Sequence, residues 1–204
     1  MRPTRRALTF GLTAAATLAS WPAAAGVTAQ DRWIGKANAP VTVFEYASVT
    51  CPHCGRWNAD VWPAFKAKYV DTGKVRFVLR ELPTEPAVVA TGGFMVARCA
   101  PPAKYFDVID ALFAGQQAMF ESGDFRTWLI QAGAKGGLSR DRVMACAQDQ
   151  AGVDAMNARI EANLREHDGI GSTPTFVVNG RMLVGEQSLA QLDAVIQPLL
   201  RGRR

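Results

Sequence analysis

Beyond its first 30 residues this 204-residue chain lacks a long apolar run, a second close pair of cysteines, an internal repeat and a marked excess of either charge. Each absence removes a class of reading. A helix that spans a bilayer needs roughly 20 consecutive apolar residues, and no later stretch approaches that length. A structural zinc site normally takes four Cys or His ligands. Cys51 and Cys54 would supply half of one, but Cys99 and Cys146 stand singly, so no metal is expected. With 49% hydrophobic residues and no repeat, the chain can build one sizeable core and an inserted subdomain, but not comfortably two independent domains.

What is present begins with a leader. MRPTRR is basic, Ala7 to Ala19 is apolar but short, and WPAAAGVTA offers small-residue cleavage sites, the pattern of a cleaved secretory signal over residues 1–29. Cleavage after Ala25 is the other choice; Val27 and Ala29 favour the later site. Thr4-Arg5-Arg6-Ala7-Leu8 also resembles a twin-arginine export signal, and both export routes stay open. Arg2, Arg5 and Arg6 leave with the leader, which takes the net charge from +5 to +2. That is too little for a nucleic-acid surface, and the terminal RGRR reads as a solvated tail. The mature chain, 30–204, is expected to be soluble and periplasmic, in an oxidising compartment where disulfides persist. Four cysteines allow three pairings. Cys51 with Cys54 and Cys99 with Cys146 is the expected one, since the first spacing fits a local bridge and the other two remain.

Along the chain, VTVFEY from Val41 reads as a buried strand, bounded by Ala39-Pro40 and by CPHC. A helix should follow from Pro52, with Trp57, Val61, Trp62, Phe65 and Tyr69 on one face and a kink at Pro63. VRFVL from Val75 is a second strand. The stretch from about 86 to 167 shows helical segments without a convincing strand. Lys104 to Phe113, the surroundings of Trp128, and Val143 to Gln150 carry them, with Gly133, Gly136 and Gly137 as punctuation. TFVV, Asn179-Gly180 and Met182 to Val184 form a hairpin, and Ser188 with Gln191 opens a last helix through a capping box. The order is α/β, with an all-helical insertion.

TCPHCG at 50–55 is where chemistry is expected. If Cys51 lies at a helix N-terminus just after a strand, unpaired N–H groups and the helix dipole favour its thiolate. His53, one turn along, can add a positive charge or an N–H donor. Cys54 lies on the same face but deeper, so it can close or open a bridge to Cys51. Cys51 is then the attacking and attacked sulfur, and Cys54 resolves. Glu45 lies six residues before Cys51 among apolar neighbours. Either it faces water on an edge strand, or it is a buried acid that relays the proton Cys54 must lose. The residues around it leave both open.

CPHC after a strand that carries glutamate, together with GSTPTFVVNG and the lead-in GKANAPVTVFEYAS, resembles the DsbA family of exported thiol–disulfide oxidoreductases, which have a thioredoxin fold. The resemblance implies a cis peptide at Thr173-Pro174 facing Cys51, with the Thr173 backbone available to a substrate strand. It implies that Glu45 is the buried acid and that Cys99 and Cys146 form a structural disulfide in the insertion. It further implies reduced or unfolded exported proteins as substrates, and a membrane quinone-linked partner of the DsbB kind that restores a redox-active Cys51–Cys54 disulfide, without another cofactor. Only about ten residues separate the leader from the first strand, too few for the dimerisation region of related isomerases, so a monomeric oxidase is expected. Thr173 before the proline also occurs in isomerases and reductases, which keeps that direction open. A binding protein that holds unfolded chains or copper is the reading from another class.

Overall fold

The computed structural model describes residues 26–202. Most of the expected leader lies outside the described residues. Contacts with the folded domain begin ahead of the expected boundary after Ala29: Val27 packs beside Phe44, Tyr46, Val78 and Val177, and the Thr28 backbone N–H donates to Asp31 Oδ2 at 2.8 Å.

Five strands form one mixed sheet: β1 (Arg32–Ile34), β2 (Val41–Ala47), β3 (Val75–Glu81), β4 (Thr175–Val178) and β5 (Arg181–Val184), in the order β1-β3-β2-β4-β5. β2 runs parallel to β3, with Glu45 opposite Leu79, and antiparallel to β4, with Glu45 opposite Phe176. It is therefore the central strand, paired along both edges, and reads as a near-continuous apolar run because both its faces are covered. β1 was not anticipated, since three residues on a sheet edge leave no periodicity to detect.

The helix expected from Pro52 onward is broken. α1 (Pro52–Asp60) ends at Val61, whose N–H donates to Trp57 O at 2.9 Å; α2 (Trp62–Phe65) then starts with Pro63 in its first turn, where the missing N–H costs nothing, and passes into a π-helical turn over Lys66–Val70. The insertion between β3 and β4 holds α3 (Ala87–Cys99), α4 (Tyr105–Ala114), α5 (Gln116–Ser122), α6 (Phe125–Lys135), α7 (Arg140–Ala147) and α8 (Gln150–Glu166). Two local expectations need correction. Gly133 lies inside α6, where a Cβ would come within 2.3 Å of Val143 Cγ2, so it admits α7 at close range instead of marking a turn. Val143 to Gln150 is not one helix; α7 stops before Gln148, and Asp149 caps α8 by accepting from the Gly152 N–H.

A disulfide joins Cys99, the last residue of α3, to Cys146 in α7. The Asn179-Gly180 turn has positive φ at both residues, 45° and 89°, the geometry a two-residue hairpin demands. α9 (Leu189–Arg201) opens with the Ser188–Gln191 capping box.

Alternation in the central strands divides the interior. Val41, Val43 and Ala47 join Trp57, Phe65, Phe94, Ile109 and Ile196 in the main core, whereas Phe44 and Tyr46 face a smaller cluster partly covered by Leu164 of α8. Arg80 is fully buried on that second face. It pairs with Asp31 at 3.2 Å and Glu166 at 2.7 Å and donates to the Tyr46 hydroxyl at 2.9 Å, which ties the N-terminal segment, the sheet and α8 together.

Candidate active site

β2 ends at Ala47, and four residues later the chain turns into α1 with Cys51 as its N-cap residue and Pro52 inside the first turn. No side chain caps this helix, so its first N–H groups remain available to an anion. Cys51 is 6% exposed and Cys54 fully buried, and both are free thiols. The Cys51 pKa is lowered from 9.0 to about 5. The Cys54 thiol donating to Cys51 is the largest cause; burial works against it, and Thr173 and the backbone N–H groups of Cys54 and His53 add to the lowering. Cys54 moves the opposite way. Burial, its hydrogen bond to Cys51 and the charges of Glu45 and Cys51 push it far above its ordinary value. One sulfur is arranged to be a thiolate and the other to keep its proton.

Thr173 and Pro174 are brought to the same place. Their peptide bond is cis, and Cys51 Sγ lies 3.3 Å from the Thr173 carbonyl oxygen, to which it can donate only while protonated. Pro174 in turn accepts from the Gly185 N–H at 2.9 Å, which ties this loop to the end of β5. Glu45 is 2% exposed on the central strand, so the water-facing alternative is excluded. Its Oε1 has no hydrogen-bond partner, and its pKa is pushed up to about 8, by burial first and then by the charges of Cys51 and Asp110.

His53 departs from expectation. Its backbone N–H serves Cys51, but its ring is 63% exposed and turned outward, with Nδ1 2.5 Å from Glu186 Oε1. Sequence reasoning did not single out Glu186, nor Gln116 of α5. The buried Gln116 amide donates to the carbonyls of Val49 at 2.8 Å and Cys51 at 3.1 Å, the two residues that flank the strand-to-helix junction. Gly55 makes room for it: a Cβ there would lie 2.5 Å from Gln116 Oε1. The only sequence signal was that Gly directly follows CPHC inside a helix, where it costs stability unless something must come close. Beside this junction, a groove of about 490 Å³ runs between α1 and the insertion, lined by Pro52, Gly55, Arg56, Phe113, Gln116 and Phe120.

Among the described residues, no group of three His, Cys, Asp or Glu side chains is placed to hold a metal ion, and no helix is long and apolar enough to cross a membrane.

A family model described as "Thioredoxin" matches residues 27–198. A Rickettsia typhi protein named "Putative protein-disulfide oxidoreductase" is 32% identical over 152 residues, which are 74% of this chain and 55% of that one. A Rickettsia bellii protein of the same name is 30% identical over 152 residues, 74% of this chain and 57% of that one. The chain thus spans less than two thirds of the length of these relatives. Among solved structures, alpha-DsbA1 of Wolbachia pipientis superposes with a TM-score of 0.77 at 25% identity, covering 86% of this chain and 94% of that one.

Proposed function

This chain belongs to the thioredoxin family as a DsbA-like protein, and from that premise we propose that it is an exported thiol–disulfide oxidoreductase that introduces disulfides into other exported proteins. The observation that carries the reading is the split between the two sulfurs, with Cys51 held as a thiolate at the mouth of α1 and Cys54 buried and protonated behind it. A stabilised thiolate favours the reduced pair, which makes the disulfide a strong oxidant.

In the oxidised protein, a substrate thiolate attacks Cys51 Sγ. The Cys51–Cys54 bond breaks, and Cys54 leaves with the electron pair and takes up a proton, for which Glu45, whose carboxyl pKa burial pushes up, is the nearby source. A second substrate thiolate then attacks the substrate sulfur of the mixed disulfide and releases Cys51 as a thiolate that the helix N-terminus holds. Two electrons pass to the protein, and the substrate gains one disulfide. In the reverse direction, Glu45 would accept the Cys54 proton. The Thr173 backbone beside Cys51 supports docking of an extended substrate segment. A membrane quinone-linked partner of the DsbB kind would regenerate the disulfide of a monomeric, periplasmic protein released from its leader.

The test is the redox equilibrium of the purified mature protein against glutathione buffers. A potential well above that of thioredoxin, about −270 mV, is expected. A strongly reducing value would replace this reading with a reductase or isomerase, and turnover unaffected by Cys51→Ala in a folding assay would replace it with a binding protein.

A further inference from the structure

CPHC places a histidine beside the reactive thiolate, yet the structure spends that histidine elsewhere. His53 Nδ1 lies 2.5 Å from Glu186 Oε1, and Arg56, one turn further along α1, places Nη2 2.7 Å from the same oxygen. Arg56 Nη2 also lies 2.6 Å from His53 Nδ1, so two groups able to carry positive charge and one carboxylate meet in a single cluster at the start of α1. The ring makes no hydrogen bond to Cys51 Sγ, whose neighbours are Cys54, Thr173 and backbone N–H groups.

An exposed ion pair on mobile side chains would mean little. The segment that carries Glu186 is held on both sides. Gly185 N–H donates to Pro174 O at 2.9 Å, so the residue before Glu186 is fixed to the loop that faces Cys51. Gln187 O accepts from the buried Trp57 Nε1 at 3.0 Å, so the residue after it is fixed to α1 itself. The Gln187 side chain closes the turn by donating to Val184 O and Gly185 O at 3.0 and 3.1 Å. The carboxylate is therefore presented to α1 by a backbone anchored to both halves of the site.

We infer that Glu186 is a positioning residue that draws the His53 ring and the Arg56 guanidinium away from the Cys51 sulfur, and so limits how strongly the Cys51–Cys54 disulfide oxidises its partners. The inference rests on the proposed redox role of that pair and adds what moderates it. A cation released toward Cys51 stabilises the thiolate, hence the reduced state, and raises the oxidising power of the disulfide.

The experiment measures the glutathione equilibrium and the Cys51 thiolate titration, by ultraviolet absorbance, for the wild type, Glu186→Gln, Glu186→Asp, His53→Ala and the His53→Ala/Glu186→Gln double variant. Glu186→Gln is expected to shift the equilibrium about threefold toward the reduced protein, about 14 mV for a two-electron couple, and to lower the pH at which the thiolate forms. Glu186→Asp should stay closer to wild type, because it keeps the charge. In the His53→Ala background the Glu186→Gln shift should shrink, leaving only the share that acts through Arg56. An unchanged equilibrium in Glu186→Gln, or an undiminished shift without His53, overturns the inference. A wild type that never equilibrates with glutathione defeats the redox reading itself, an outcome separate from either of these.

Discussion

Cys51 and Cys54 are separated only by proline and histidine and are thiols at the mouth of a helix, whereas Cys99 and Cys146 lie 47 positions apart and are joined between two helices of the insertion. The contrast lies in surroundings, since the residue type is the same. The Cys54 thiol and bare N–H groups stabilise charge on Cys51, so Cys51 leaves readily from a mixed disulfide, and its bond to Cys54 closes too small a loop to remove much unfolded-chain entropy. A bridge across 47 positions removes about 4 kcal/mol of that entropy by chain-closure arithmetic. On the proposed function, one pair serves exchange and the other permanence.

The sharpest break in this comparison is Cys51→Ala, which should reduce thiol–disulfide exchange by more than about a thousandfold while leaving the fold intact. Removing the other pair, in Cys99→Ala/Cys146→Ala, should lower unfolding stability by about 3–4 kcal/mol in denaturant titrations, with exchange through Cys51 retained. Loss of exchange in that variant, still folded, would erase the division of labour.

Glu45→Gln sharpens the comparison through pH. The Glu45 carboxyl binds its proton more tightly when folded, so its contribution to stability falls as pH rises from about 4.5 to about 8. The Cys51 thiolate acts in the opposite sense: the unfolded thiol holds its proton up to about pH 9 and the folded one only to about 5, so it adds stability across that range and loses it as pH falls through 5. In the reduced wild type the two slopes oppose one another, and stability should vary little between pH 5 and 8. Reduced Glu45→Gln should become more stable with rising pH, and the oxidised wild type less stable. Unfolding midpoints across this range check all three, and a flat profile for reduced Glu45→Gln would contradict the thiolate assignment. In stopped-flow exchange, Glu45→Gln should also slow resolution of a mixed disulfide about a hundredfold. The smallest effect belongs to Gln116→Ala, which leaves two junction carbonyls without their donor and should cost about 1–3 kcal/mol.

The elements with short-range signals were legible. VTVFEY, the Asn179-Gly180 turn and the Ser188–Gln191 capping box each announce themselves within a few residues. CPHC did so too, together with its likeness to a known family. What the sequence left open depended on distant partners. Whether Glu45 faced water was decided by β3 and β4 pairing on both sides of β2, which no window around residue 45 contains. Gln116 acts on carbonyls 65 and 67 positions away, and Glu186 meets His53 across 133. Gly133 was misread as punctuation because a glycine that admits a neighbouring helix and one that turns the chain look alike in sequence.

Gln116 also bears on how the molecule opens. Its amide holds the carbonyls on both sides of the strand-to-helix junction from a helix of the insertion, through a gap that only a glycine at 55 allows. The insertion cannot swing away without releasing the backbone of the reactive turn. Amide protons of α5 and of the first turn of α1 should then exchange with solvent as one unit, through a shared local unfolding event. The stability of the helical cap thereby becomes a brake on the motion of the reactive turn.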